Sequence, residues 1–138
     1  MENTDLSQTN VLISIGSNLG DRLKYIELAI MEIKNIPTLI LGKSNIIETK
    51  ALEVLDQPDF LNCVIKIETT LEPIQLLDTL QQIERTIGRI KRFNKGPREI
   101  DLDILSYGNL VLSTERLNLP HHSIQSRPFI KELIENLH

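Results

Sequence analysis

The chain has 138 residues, 41% hydrophobic and 25% charged, with three Phe, two Tyr and no Trp. That is the size of one domain able to bury a core built from Leu and Ile without staples. A single cysteine excludes a disulfide framework, and no apolar run approaches the roughly 18 residues of a membrane span. The net charge of −4 argues against nonspecific nucleic-acid binding. The N-terminus lacks a basic-then-apolar signal, so the cytoplasm is the expected compartment.

Residues 1–9 are Asn/Thr/Ser/Asp-rich and read as a flexible lead-in to one domain over 10–138. Val11 to Ile15 is short and β-branched, a buried strand, and Gly16 to Asp21 is the turn out of it. Leu19, Leu23, Ile26, Ile30 and Ile33 recur at helical spacing, with Asp21 in the first turn and Pro37 stopping the pattern. The Gly16–Gly20 turn lacks the Gly-Lys-Ser/Thr ending of a nucleotide P-loop, so its pattern alone predicts only a tight strand-to-helix turn.

Leu39 to Lys50 is expected as one strand with a bulge at Gly42. A loop over 51–59 leads into a strand from Phe60 to Glu68. Cys63 lies inside that strand's apolar run and reads as a small core hydrophobe. A second helix opens near Pro73 with Leu76, Leu80, Ile83 and Ile87 as its apolar stripe. Leu77, Gln81 and Glu84 flank the stripe, and Gly88 ends the helix.

From Arg85 to Arg98 the chain carries six Arg and Lys residues and no acid. The next strand, Ile100 to Leu105, alternates, so Asp101 and Asp103 share one face while Ile100, Leu102 and Ile104 share the other. Two carboxylates about 7 Å apart on a strand repel unless a cation or solvent separates them. A carboxylate pair beside Arg and Lys groups suits a divalent metal bound together with polyphosphate. An exposed edge strand with alternating charge is the competing explanation. Tyr107 to Asn109 turns into Leu110–Leu112, with Leu117–Leu119 as its hairpin partner, and residues 128–137 carry a short helical pattern. The element order predicts an α+β, ferredoxin-like α/β sandwich. Helices pack on a mostly antiparallel four-stranded core sheet, with a C-terminal hairpin and short helix.

Four stretches in order, Ile15-Gly16-Ser17-Asn18-Leu19-Gly20, Asp56-Gln57-Pro58-Asp59-Phe60-Leu61-Asn62, Gly96-Pro97-Arg98 with Asp101-Leu102-Asp103, and Leu119-Pro120-His121, resemble the 6-hydroxymethyl-7,8-dihydropterin pyrophosphokinase family of folate biosynthesis. The resemblance covers the chain from about Val11 to Phe129. It implies Mg²⁺-dependent transfer of the β,γ-pyrophosphoryl group of ATP to the pterin hydroxymethyl group, releasing AMP. Asp101 and Asp103 would hold two Mg²⁺ ions, and Arg89 and Arg98 would stabilise charge on the phosphates. Gln81, Glu84, Lys91, Arg92, His121 and Arg127 would serve the ATP side, with Ile104, Arg116 and Asn118 bordering the adenine. Glu84 fits an ordering role or a ribose contact better than a phosphate contact. The pterin would lie between Phe60 and Phe129, bonded by the Asn62 amide and by backbone near Thr49 and Leu52. The partners implied are ATP and the pterin alone, with no nucleic acid and no membrane, and a monomer is expected. The chain departs from the family pattern in a loop over 88–96 that is one residue shorter, with Lys95 where Trp is common. It also has Lys50-Ala51 in place of prolines, and a short C-terminus. The alternatives are another Mg²⁺-dependent phosphoryl or nucleotidyl transferase, or a non-enzymatic ferredoxin-like ligand-binding module.

Overall fold

A computed structural model describes residues 9–50, 57–90 and 97–138. The elements run β1 (Thr9–Ser17), α1 (Arg22–Lys34), β2 (Thr38–Lys43), β3 (Ile47–Thr49), β4 (Phe60–Thr69), α2 (Pro73–Ile87), β5 (Asp101–Tyr107), β6 (Leu112–Ser113), β7 (Asn118–Leu119), α3 (Ser123–Ser126) and α4 (Pro128–Glu135). The main sheet has the order β2-β4-β1-β5, and its strand pairs are antiparallel. With α1 and α2 as the crossovers, this is the expected ferredoxin-like sandwich. The small β6–β7 pair forms the expected C-terminal hairpin.

Strand alternation divides the core in two. Val11, Ile13, Ile15, Cys63, Ile65, Ile67, Leu102 and Ile104 point to one face, where they meet Ile26, Ala29 and Ile33 of α1 and Leu76, Leu77, Leu80 and Ile83 of α2. Each fully buried Ile or Leu there contributes about 1.5–3 kcal/mol. On the other face Val64 and Leu105 pack against Ile130 and Leu133 of α4. Leu105 follows Asp101 and Asp103 on that face by alternation, and the β1–β5 register shifts at this point, Ile13 pairing with Ile104 but Leu12 with Ser106.

Several boundaries differ from expectation for local reasons. Leu39–Lys50 is two strands, both paired to β4. The expected irregularity is present, with the β2–β4 register shifting between Ile40 and Gly42. Ser44 then interrupts the ladder: its N–H donates to the Val64 carbonyl at 2.9 Å, while its hydroxyl accepts from Val64 N–H at 2.8 Å. A side chain thus replaces a backbone acceptor. In α1 the N-cap is Asp21, which accepts from Lys24 N–H at 3.3 Å. The buried stripe is Ile26, Ala29 and Ile33, so Leu19 falls outside the helix and Leu23 is 45% exposed. β1 begins at Thr9 and β4 runs to Thr69, the two residues being paired. Of the expected 110–112 arm only Leu112 lies in β6, which extends to Ser113 beyond it. The one-turn helix α3 carries no apolar periodicity and was not anticipated. Among the described residues no helix is long and apolar enough to cross a membrane.

Candidate active site

Asp101 and Asp103 lie where β5 borders β1, opposite Gly16 and Ser14 respectively. Asp101 is clamped. Arg98 Nη1 donates to its Oδ2 at 2.9 Å and Arg89 Nη1 to its Oδ1 at 3.1 Å. Arg89 also donates to Glu84 Oε2 at 2.8 Å. It can fold back in this way because Gly88 ends α2 with φ +118°, a conformation that favours glycine. Glu84 Oε2 accepts in addition from Leu102 N–H at 2.8 Å, which ties α2 to β5. Burial raises the Glu84 pKa above the ordinary carboxylate value, with nearby Asp101 adding to the shift, against the opposing hydrogen bonds of Leu102 and Arg89.

Asp103 differs from its neighbour. Among the described residues it has no hydrogen-bond or ion-pair partner, and its pKa is pushed up to about 8 by burial first, then by Asp101 and Glu84, against the pull of Arg98 and Arg127. A carboxylate held unpaired beside two others favours a bound cation. Among the described residues no group of three or more His, Cys, Asp or Glu side chains could hold a metal. The Asp101/Asp103 pair would therefore have its coordination completed by phosphate oxygens and water, as is usual for Mg²⁺. The donor set fits that ion.

On the same sheet face, two strands from β5, Asn62 of β4 pairs with Gly16, which separates it from Asp101. Its amide donates to Thr49 Oγ1 at 2.6 Å. A Cβ at Gly16 would stand 2.8 Å from Asn62 Oδ1, so glycine keeps the floor open between the amide and the carboxylates. Phe60 lies two residues along this face, and Phe129 of α4 packs against the second core. Their rings do not stack on one another; the described ring contact is His121 with His122, centroids 4.4 Å apart.

His121 Nδ1 accepts from Ser123 N–H at 3.0 Å and lies 2.8 Å from Ser123 Oγ. The ring proton is thereby assigned to Nε2, a free donor. Burial lowers the His121 pKa, and His122 and Arg127 lower it further against the opposing pull of Asp101. Gln81 Oε1 accepts from Arg116 Nη2 at 3.2 Å, and Arg116 also pairs with Asp78 at 2.6 Å. Asn118 is exposed beside them on β7. Ile104 is 1% exposed in the main core, on the face opposite the aspartates. Of the remaining expected residues, Leu52, Lys91 and Arg92, together with Lys95, lie outside the described residues.

Two organising residues have no role that local pattern assigns, although Asn18 stands in the Ile15–Gly20 stretch that carries the family resemblance. Asn18 is 0% exposed. Its Oδ1 accepts from Arg98 N–H at 2.8 Å, its N–H donates to the Arg98 carbonyl at 3.1 Å, and its amide donates to Gln57 Oε1 at 3.0 Å and to the Pro58 carbonyl at 3.2 Å. One side chain thus joins the approach to Arg98 and the approach to Phe60. Arg22 Nη1 donates to Glu48 Oε2 at 2.7 Å and to the Asp59 carbonyl at 2.8 Å, pinning the β3–β4 entrance. Both residues act through partners dozens of positions away.

The sequence model of the family described as 7,8-dihydro-6-hydroxymethylpterin-pyrophosphokinase matches residues 12–138. A Haemophilus influenzae 2-amino-4-hydroxy-6-hydroxymethyldihydropteridine pyrophosphokinase is 41% identical over 119 residues, covering 86% of this chain and 74% of that protein. The protein of the same name from Aquifex aeolicus is 42% identical over 120 residues, with 86% and 74% covered. Folic acid synthesis protein fol1 of Pneumocystis carinii is 48% identical over 122 residues, 87% of this chain, but the chain spans only 16% of that protein's length.

Proposed function

The chain belongs to the 7,8-dihydro-6-hydroxymethylpterin-pyrophosphokinase family, and on that premise we propose that it transfers the β,γ-pyrophosphoryl group of ATP to the hydroxymethyl oxygen of 6-hydroxymethyl-7,8-dihydropterin. The C–O–H oxygen attacks Pβ, the bond from Pβ to the α,β-bridging oxygen breaks, and AMP leaves. The pterin diphosphate is the second product, and the hydroxyl proton passes to solvent. The observation that carries this reading is one sheet face with two poles. The Asp101/Asp103 pair with Arg89 and Arg98 stands at one pole, Asn62 and Phe60 at the other, and Gly16 lies between them. Across two strand spacings the poles are about 10 Å apart, a span suited to a pterin ring on one side and a triphosphate on the other.

Asp101 and Asp103 would hold two Mg²⁺ ions, which when bound neutralise phosphate charge and acidify the attacking hydroxyl. Arg89 and Arg98 hold Asp101 in the structure and stand where phosphate oxygens would replace it as their partner. Glu84 anchors Arg89 and β5, which supports its ordering role. His121 Nε2–H and Arg127 add donors near the aspartates, while Gln81, Arg116 and Asn118 form a polar group suited to the nucleoside. Asn62 and Thr49 supply the paired polar groups a pterin edge requires, and Phe60 and Phe129 its apolar faces. Lys91, Arg92 and the backbone at Leu52 complete the reading from sequence. The protein is taken to act as a cytoplasmic monomer with one catalytic domain over 10–138.

Chromatography of a mixture of the protein, ATP, Mg²⁺ and 6-hydroxymethyl-7,8-dihydropterin tests the reading. AMP and pterin diphosphate in equal amounts are expected. ADP would instead indicate another phosphoryl transfer, and no turnover would favour a binding module.

A further inference from the structure

The face that carries the aspartates and Asn62 continues past the Val64–Leu105 cluster into a cavity of about 760 Å³ that the proposed reaction does not use. Its apolar lining is Leu12 and Leu41 from the sheet and Ile134 and Leu137 from the C-terminal region. The floor is one row of the sheet, in which Lys66 of β4 pairs with Leu12 on one side and with Gly42 on the other. Gly42 keeps the floor low, since a Cβ there would meet the His138 carbonyl oxygen at 3.3 Å. Thr9, Asn10, Ser106, Asn109 and His138 add polar groups to the lining.

Lys66 is the informative residue. It stands on a central strand, in the middle of a half-covered apolar face. Among the described residues it makes no hydrogen bond or ion pair. Among the described residues no Asp or Glu side chain lines the cavity. Glu68, the next residue on this face of β4, is outside the lining and does not pair with Lys66. An ammonium with no acidic partner among the described side chains provides one strong, charge-assisted contact for an anion. The volume is in the range of a small-molecule site, and its lining joins an apolar patch to a polar one, as an amphipathic ligand requires.

We propose that this cavity is a second binding site, separate from the candidate active site, for a small amphipathic anion: a compact acidic group on Lys66 and an apolar body against Leu12, Leu41, Ile134 and Leu137. Lys66 is four residues along β4 from Asn62, about 13 Å away, with the Val64–Leu105 cluster between them. Occupancy therefore does not depend on the proposed reaction.

The probe is 8-anilinonaphthalene-1-sulfonate, an aromatic anion, compared with the neutral N-phenyl-1-naphthylamine on the full chain. The anion should bind with 1:1 stoichiometry and at least about tenfold more tightly than the neutral dye, the scale of one charge-assisted contact. Lys66→Glu should weaken it by about tenfold or more. Amide shifts in ¹H–¹⁵N spectra should cluster at Gly42, Lys66 and Gly108, and a saturating non-hydrolysable ATP analogue with Mg²⁺ and pterin should not displace the dye. Displacement by those ligands, equal binding of the two dyes, or wild-type affinity in Lys66→Glu would overturn the proposal. Should Lys66→Glu lose its native circular dichroism, Lys66→Gln gives the same comparison without reversing the charge.

Discussion

Replacing Asp103 with Asn separates a metal ligand from an ordinary surface acid. In the metal-free protein the Asp103 pKa is pushed up to about 8 by burial and then by Asp101 and Glu84, against 3.8 for an unperturbed Asp. The folded state therefore holds a proton that the unfolded chain gives up. The stability this contributes is fully present below about pH 3.8 and is lost as pH rises through about 8. At pH 7 the linkage could reach about 4 kcal/mol, at 1.36 kcal/mol per pH unit between 3.8 and 7. Asp103 keeps a minor part of its surface in contact with water, which screens part of this, and about 2 kcal/mol is expected. Asn keeps the shape and removes the ionisation. Metal-free Asp103→Asn should be the more stable protein at pH 7, by about 6 °C in Tm for a domain of this size, and its Tm should vary less between pH 5 and 8. Mg²⁺ with an ATP analogue should raise the wild-type Tm and leave the variant nearly unmoved. Melting curves by circular dichroism at pH 5, 6, 7 and 8, with and without ligand, test both parts. A variant less stable than wild type in metal-free buffer, or one still stabilised by the metal and nucleotide, refutes the reasoning.

Three further perturbations address other parts of the site. Gly16→Ala places a methyl group 2.8 Å from Asn62 Oδ1, so calorimetry should show pterin affinity falling about tenfold with ATP affinity nearly unchanged; equal losses for both ligands would contradict this. Asn18→Ala leaves the part-buried Arg98 N–H without its side-chain acceptor, so urea unfolding should show a loss of about 1–3 kcal/mol. Steady-state kinetics should show a larger fall in kcat than in pterin affinity, and unaltered kinetics would remove Asn18 from the account. The Cys63 thiol is pushed up to about 12 by burial, with Lys43 lowering it slightly. Iodoacetamide at pH 8 should label it only in denaturant, and rapid native labelling would contradict its burial.

Local patterns foretold the elements that rest on local causes. The alternation of Asp101 to Leu105, the apolar stripe of α2 and its stop at Gly88 are all set by neighbours within a few residues, and each is present in the structure. The split of β2 from β3 was not legible, because it depends on the Ser44 hydroxyl meeting Val64 N–H from twenty residues away. Asn18 lies in a turn whose glycines explain its shape, yet its partners are Pro58 and Arg98, forty and eighty residues on. The aspartates and arginines could be singled out by charge. The clamp of both arginines on Asp101, which leaves Asp103 unpaired, required the fold. Leu23 fits a core residue by spacing alone, yet the buried stripe of α1 is Ile26, Ala29 and Ile33 and Leu23 faces solvent.

The central claim is that metal and pterin share one sheet face across Gly16, and Mn²⁺ in place of Mg²⁺ tests it most directly. With the protein, a non-hydrolysable ATP analogue and the pterin bound, the paramagnetic ion at Asp101 and Asp103 should strongly broaden the hydroxymethyl protons of the pterin, as expected at separations of about 10 Å or less given two strand spacings. The broadening should vanish in Asp101→Ala. Sharp pterin resonances in the wild-type complex, or broadening that survives the loss of Asp101, would contradict the account.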